Sequence, residues 1–235
     1  MMRIAIADDD NTMSDYIAGI AKDNGFSTQV FGNGDQLLTA LRRDTYDLVM
    51  LDWNMPGRNG IETLEVIRET LDSAPPVIML TSRADKRDIA TALQAGADDY
   101  IIKPEVPEVI SARMAAVLRR TTKVDPTVRV EDIGPYTFDY INRTIKVKGK
   151  EVVLTAKEYS LALMFFRNLN RALSRSYLLQ TLWNSVADLP TRTLDMHVSR
   201  IRSKLALTAE NGYRVQTVFG YGYRLECLNE ETKGL

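Results

Sequence analysis

The 235-residue chain reads as two domains of different class. The first is an α/β domain on a doubly wound, five-stranded parallel sheet, and the second is a smaller α+β domain. Three observations lead there. Over residues 1–121 a short apolar run followed by a segment of helical apolar spacing occurs five times in succession, and strands alternating with helices form parallel sheets covered on both faces. After a polar, proline-bearing stretch the pattern changes to period-two alternation, then to helices and a closing hairpin. The charge changes at the same place: residues 1–121 hold 13 Lys+Arg against 19 Asp+Glu, and residues 122–235 hold 17 against 12. An acidic half joined to a basic half points to different partners, with nucleic acid a candidate for the basic one.

Composition removes several classes of function. The 45% apolar and 26% charged residues are those of a globular protein with real cores. The single cysteine, Cys227, excludes an intrachain disulfide and a Cys-based zinc site, and the single histidine, His197, argues against a multi-His metal site. Residues 8–10 turn acidic too early for a signal peptide, and no apolar run nears the roughly 20 residues of a membrane helix. A cytoplasmic protein with no membrane contact is expected.

Residues 3–7 form a first buried strand running into Asp8, Asp9 and Asp10. Residues 11–24 carry Met13, Ile17, Ile20 and Ala21 at helical spacing, and Gly25 ends that helix. Residues 26–31 make the second strand and 34–43 the second helix. The stretch 47–52 is a buried strand ending at Asp52, where Asn54, Pro56 and Gly57 break it and a helix can start near Asn59. Residues 61–71 place Leu64, Ile67, Arg68 and Leu71 in helical register. A fourth strand covers 76–81, a fourth helix 85–95, a fifth strand 99–103 and a fifth helix 108–120.

A carboxylate at the C-terminal end of a central parallel strand faces the crevice where open α/β sheets bind ligands. Asp8 and Asp9 end the first strand, Asp52 the third, Thr81 the fourth and Lys103 the fifth, so all five converge. A loop-capping Asp explains any one of them and is a poor account of the five together. Three carboxylates raise one another's pKa unless a cation compensates. Oxygen ligands without His or Cys suit a hard ion, and Mg2+ prefers a few carboxylates with waters and phosphate oxygens. A hydroxyl and an ammonium beside them suit a phosphoryl group, and an Asp can accept phosphate covalently.

Asp8-Asp9, Asp52, Asn54-Met55-Pro56-Gly57, Gly60, Thr81, Gly96-Ala97-Asp98-Asp99-Tyr100 and Lys103-Pro104 stand in the order and spacing of a response-regulator receiver domain. Residues 1–121 resemble that family. The resemblance implies a flavodoxin-like sheet of order 2-1-3-4-5. It also implies that Asp52 is the phosphoacceptor, and that Asp9, Asp52 and the Asn54 backbone carbonyl hold Mg2+ with Asp8 acting through water. Lys103 would pair with the phosphoryl oxygens, Thr81 would move to bond one of them, and Tyr100 would swing inward. The Lys103–Pro104 peptide is expected to be cis, which an X-Pro bond permits.

Residues 122–127 read as an interdomain linker, 128–228 as the second domain and 229–235 as a tail. Alternation over 128–153, with turn signals at Gly134-Pro135, Asn142 and Gly149, predicts a small antiparallel sheet. Thr155 and Glu158 make a capping box opening a helix to about residue 168. A second helix runs from Ser176 to Trp183, a loop covers 184–190, and a third helix covers 191–205. Leu194, Val198, Ile201 and Leu205 form its core stripe. Arg192, Thr193, Met196, His197, Arg200 and Lys204 share much of the other side, a basic face suited to the major groove and equally to plain solvation. Residues 213–218 and 221–225 form a hairpin around Phe219-Gly220.

Residues 154–225 resemble the winged-helix effector domain of the OmpR/PhoB transcription factors. The carrying residues are Leu154-Thr155 with Glu158, Arg175, Leu178-Leu179, Leu182-Trp183, the run 192–198, Arg200-Ile201-Arg202, Lys204-Leu205, and Gln216-Thr217-Val218 with Gly220-Tyr221-Gly222-Tyr223-Arg224. The resemblance implies that the third helix reads bases and the hairpin is a wing at the adjacent minor groove, with His197 facing DNA. Phe219 departs from the family, which usually has Arg or Lys there. A phenyl ring cannot neutralise phosphate, so weak minor-groove readout is expected, with affinity resting on Arg192, Arg200 and Lys204. Packing of Phe219 on the receiver or a second protomer is the competing account.

Family receivers pair through the fourth helix, fifth strand and fifth helix. Asp98, Asp99, Arg113 and Arg120 keep charged positions of that surface, while Ile89 and Val109 stand where a charged pair is usual. The expectation is the same homodimer face, with Ile89 of one protomer on Val109 of the other, against the alternative of a monomer. The whole then reads as a two-component response regulator: a sensor histidine kinase phosphorylates Asp52, and the basic domain binds tandem half-sites on double-stranded DNA, with RNA polymerase a further candidate partner. One alternative is a phosphatase or phosphotransferase, for which Asn54 stands where a second acid/base carboxylate is wanted. The other is a DNA-binding regulator whose receiver-like domain dimerises without phosphorylation.

Overall fold

The computed structural model describes residues 2–71, 73–82, 86–121, 129–183 and 191–228. The linker expected at 122–127, the loop at 184–190, the tail at 229–235 and Asp85 at the start of the expected fourth helix lie outside them. The chain divides into two compact units, Met1–Thr122 and Lys123–Leu235.

The first unit alternates strands and helices: β1 (Arg3–Ala7), α1 (Asn11–Asp23), β2 (Ser27–Phe31), α2 (Gly34–Leu41), β3 (Leu48–Asp52), α3 (Gly60–Thr70), β4 (Val77–Thr81), α4 (Lys86–Gln94), β5 (Asp99–Ile102) and α5 (Pro107–Thr121). All neighbouring strands are parallel, in the order β2-β1-β3-β4-β5. Because successive side chains point to opposite faces, β1 sends Ile4 and Ile6 to one core with Ile17, Met114 and Val117, and Ala5 and Ala7 to another with Leu37, Leu64 and Ile67. β3 is buried on both faces, Leu48 and Met50 on one side and Val49 and Leu51 on the other. This explains its unbroken apolar run. The register pairs Ala7 with Leu51, Asp52 with Leu80 and Thr81 with Ile102, so Asp8, Asp52, Thr81 and Lys103 come out along one edge of the sheet.

In the second unit β6 (Val130–Ile133), β7 (Tyr136–Asp139), β8 (Thr144–Val147) and β9 (Lys150–Val152) form the expected antiparallel sheet. Then come α6 (Ala156–Arg167), β10 (Ala172–Ser174), α7 (Arg175–Trp183), α8 (Thr191–Lys204), a 3-10 turn (Ala209–Asn211), β11 (Tyr213–Val218) and β12 (Gly222–Cys227). The Thr155–Glu158 capping box opens α6. Leu194, Val198, Ile201 and Leu205 are wholly buried with Phe138, Phe165 and Leu178. Strand β10 was not anticipated. Three residues are too few to display a period, and β10 is held as a strand by pairing with β12 in the sheet β10-β12-β11.

Candidate functional site

The three consecutive aspartates after β1 divide their work. Asp10 caps α1, accepting from the Thr12 and Met13 N–H groups. Asp8 is buried and accepts from the Asp10 N–H at 3.0 Å, and Asp9 is exposed beside it. Asp52 is 4% exposed; its Oδ2 accepts from the Asn54 N–H at 3.0 Å. The close fit behind it needs Gly60, where a Cβ would stand 2.2 Å from the Asp52 carbonyl oxygen and 2.9 Å from the Trp53 Cα. Any side chain there would push α3 off the strand end.

Lys103 reaches in from the end of β5. Its Nζ lies 2.6 Å from Asp52 Oδ1 and 3.0 Å from Asp8 Oδ2. Burial alone would lower the ammonium pKa, but the hydrogen bonds and charges of the two carboxylates outweigh it and hold it above the ordinary value. Burial drives the Asp52 carboxyl upward, with the Asp8 charge adding to that and Lys103 opposing it. Thr81 is buried at the end of β4. The Lys103–Pro104 peptide is cis.

Asp8, Asp9 and Asp52 each bring an oxygen within 4.8 Å of the others. Three carboxylates against one ammonium leave a surplus of negative charge, and all the donors are hard oxygens. That donor set fits Mg2+ rather than a softer ion.

Four of the charges expected on the pairing surface are placed as follows. Asp98 accepts from the Val77 N–H at 2.7 Å and pairs with Arg68 Nη2 at 2.8 Å. Arg113 pairs with Asp99 at 2.9 Å, and its guanidinium lies 5.7 Å from the centre of the half-buried Tyr100 ring. Arg120 is exposed. Ile89 and Val109 are partly exposed, and Leu93, one helical turn beyond Ile89 on α4, is exposed.

On α8, Arg192, Met196 and Arg200 are exposed and Thr193 is half-buried. His197 is half-buried. Its Nδ1 donates to the Thr193 carbonyl at 2.8 Å, and its ring packs edge-on against Trp183 at 5.1 Å. Its other ring nitrogen, Nε2, is the one left for an outside group. Lys204 is exposed, and its Nζ lies 2.7 Å from Glu158 Oε2 and 3.0 Å from the Val153 carbonyl. Glu158 is 1% exposed, and the Thr155 N–H also donates to it.

A network that residue patterns do not reveal locks α8 to the hairpin. Asp195 accepts from Arg175 at 2.9 Å and from the Tyr223 hydroxyl. Arg175 also lies over the Tyr223 ring, and Arg202 donates to the Val215 carbonyl at 2.8 Å. Burial, then the bond to Asp195, push the Tyr223 hydroxyl up to about 12, so it remains a donor. The two guanidiniums on the hairpin, Arg214 and Arg224, both pair with Glu226.

Comparison with known proteins agrees with both halves. Residues 4–115 match the response regulator receiver domain, and residues 149–225 match the C-terminal domain of transcriptional regulatory proteins. The DNA-binding response regulator MtrA of Mycolicibacterium smegmatis is 36% identical over 222 residues, 94% of this chain and 96% of the relative. The sensory transduction protein RegX3 of the same organism is 34% identical over 229 residues, 96% of this chain and all of the relative. A solved two-component response regulator from Clostridium difficile is similar to 52% of this chain and 100% of its own, at 27% identity and a TM-score of 0.50.

Proposed function

This chain belongs to the OmpR/PhoB family of response regulators, and from that premise we propose that it is switched by phosphorylation of Asp52 and acts on DNA through α8. The observation that carries the reading is Lys103 held between Asp52 and Asp8 at 2.6 and 3.0 Å. An unprotonated Asp52 oxygen attacks the phosphorus of a phosphohistidine on a sensor kinase. The new O–P bond forms as the P–N bond breaks, and the imidazole leaves with its electron pair. Lys103 then exchanges an Asp52 oxygen for a phosphoryl oxygen, at little cost in position since Asp8 still holds it. Thr81, at the neighbouring strand end, supplies a hydroxyl to the same group, with Tyr100 following its movement. Asp8, Asp9, Asp52 and the Asn54 carbonyl would hold Mg2+, which when bound offsets charge on the transferred phosphoryl group. The chain turns over no outside substrate in this reading. Its own chemistry is acceptance of phosphate and slow release to water.

In the second unit we assign the DNA face to Arg192, Thr193, Met196 and Arg200, with His197 reaching through Nε2. Lys204 belongs to the face through its position, but its ammonium is engaged with Glu158. Two copies pair through α4, β5 and α5. With Asp98, Asp99 and Arg113 engaged inside the protomer, the contact rests on Ile89, Leu93 and Val109, leaving Arg120 at the rim. Tandem DNA half-sites, a sensor histidine kinase, RNA polymerase and a cytoplasmic location complete the proposal. No helix among the described residues is long and apolar enough to cross a membrane.

The test is incubation with Mg2+ and a small phosphodonor. Stoichiometric label on the wild type and none on Asp52→Ala is expected. Label on Asp52→Ala at the wild-type rate refutes the assignment, as does equal DNA affinity with and without phosphodonor for the claim of control.

A further inference from the structure

The tip of the β11–β12 hairpin holds Phe219 fully exposed. A single exposed apolar side chain is ordinary on a protein surface, and its setting is what gives this one meaning. The tip is braced from both sides: the Tyr221 N–H donates to the Val218 carbonyl at 3.0 Å, and the Tyr221 carbonyl accepts from the Arg175 N–H at 3.0 Å. Gly220 has φ +71°, the left-handed conformation that the third residue of a type II turn requires. Phe219 therefore projects from a fixed backbone.

The tip is also tied to α8. Tyr223 pairs with Thr217 beside the turn, and its hydroxyl bonds to Asp195 in the first half of α8. The opposite end of the hairpin, at Tyr213, follows the loop after Lys204. The pair Thr217–Tyr223 next to the tip is tied to Asp195 in the first half of α8 and to Arg202 in its last turn, so Phe219 is carried on a hairpin that is held alongside α8.

Magnitudes decide what the ring meets. A specific protein–protein interface buries on the order of 1,000 Å² or more, and Gln216, Thr217 and Gly220 around the ring are exposed and polar or small. One phenyl ring does not make a protein-docking patch. It is enough for a DNA wedge, since single apolar side chains enter the minor groove between base steps and unstack them. Arg214 and Arg224 on the hairpin both pair with Glu226, away from the turn, and the turn residues themselves, Phe219, Gly220 and Tyr221, carry no charge.

Resting on the DNA-binding reading above, we propose that Phe219 is a minor-groove wedge that unstacks one base step in each half-site. The weak wing expected from the loss of a basic residue is then a different kind of wing. The step favoured is pyrimidine–purine, because those steps unstack most easily. Phe219 selects sequence by deformability where Arg192, Met196 and Arg200 select by contact.

The experiment uses the full chain with Mg2+ and a small phosphodonor, and duplexes that it selects from a random pool. 2-Aminopurine is placed at successive positions of a selected duplex. The wild type should raise fluorescence at one pyrimidine–purine step per half-site. Phe219→Ala should abolish that rise and weaken binding about ten-fold, the scale of one stacked base, with the salt slope unchanged. Phe219→Leu should keep part of both effects. Phe219→Arg should steepen the salt slope by up to about one phosphate contact without restoring the fluorescence. A wild-type complex in which no position responds, or Phe219→Ala that keeps the response, overturns the wedge while leaving DNA binding standing. Failure of the wild type to select any duplex overturns the DNA-binding reading itself.

Discussion

Replacing Lys204 by Ala separates two roles that α8 could give it. As a phosphate contact, Lys204 would matter to DNA affinity and not to the fold. The structure puts its ammonium 2.7 Å from Glu158 Oε2, with Glu158 1% exposed and the Lys204 side chain 37% exposed. Removing the cation strands a buried carboxylate, which costs roughly 3–5 kcal/mol when both partners are buried. Glu158 keeps the Thr155 N–H at 2.8 Å, and the Lys204 end of the pair is open to water. The loss therefore falls to about 1.5–2 kcal/mol, the low end for a hydrogen bond to a charged group. For a unit of this size that corresponds to a Tm drop on the order of 10 °C.

Calorimetry of the full chain reads the drop, with the transition of the second unit identified by its indifference to Mg2+. Burial pushes the Glu158 carboxyl up, and Lys204 and the Thr155 N–H more than reverse this, holding it below the ordinary 4.5. A carboxyl depressed in the folded state adds stability that is complete above 4.5 and fades as pH falls through the folded value. The gap between wild type and Lys204→Ala should accordingly be full at neutral pH and close in acid. The slope of DNA affinity against salt should change little, whereas Arg200→Ala should reduce it by about one phosphate contact. An unchanged Tm together with a reduced slope for Lys204→Ala would refute the structural role.

Mg2+ should raise the Tm of the first unit by mass action, and Asp9→Asn should remove most of that rise while leaving the metal-free Tm near wild type, since Asp9 is exposed and outside the Lys103 pair; calorimetry with and without chelator checks both. The pairing face should behave as an apolar contact: sedimentation of the phosphodonor-treated chain should show a dimer that tolerates added salt and is lost in Val109→Lys. Steep dissociation with salt, or a dimer indifferent to Val109→Lys, would show that charge holds it instead.

How far the sequence could be read follows from how local each determinant is. Asp8, Asp52, Thr81 and Lys103 were legible as one site because parallel strands all end on the same edge, so strand-final residues far apart in sequence must converge. The capping box at Thr155 was legible because its two members are three residues apart. The same Glu158 has a second partner 46 residues away, and no periodicity points to Lys204 as that partner. Its place on the polar side of α8 reads as a DNA contact, and the pair with Glu158 is a second engagement that this place does not announce. Asp195 with Tyr223, and Asp98 with Arg68, are long-range pairs of the same kind. Each takes a charge that a residue pattern counts as available and spends it within the fold. Such pairs change a binding surface by subtraction: α8 keeps Arg192 and Arg200 exposed, the α4–α5 face keeps Arg120, and the hairpin tip keeps only an aromatic ring. Where no charged side chain remains, as at the hairpin tip, a surface depends on apolar contact and on the deformability of what it meets. For that reason the positions where the resemblance implies charge and this chain has none, Ile89, Val109 and Phe219, are where its behaviour should differ from the family's.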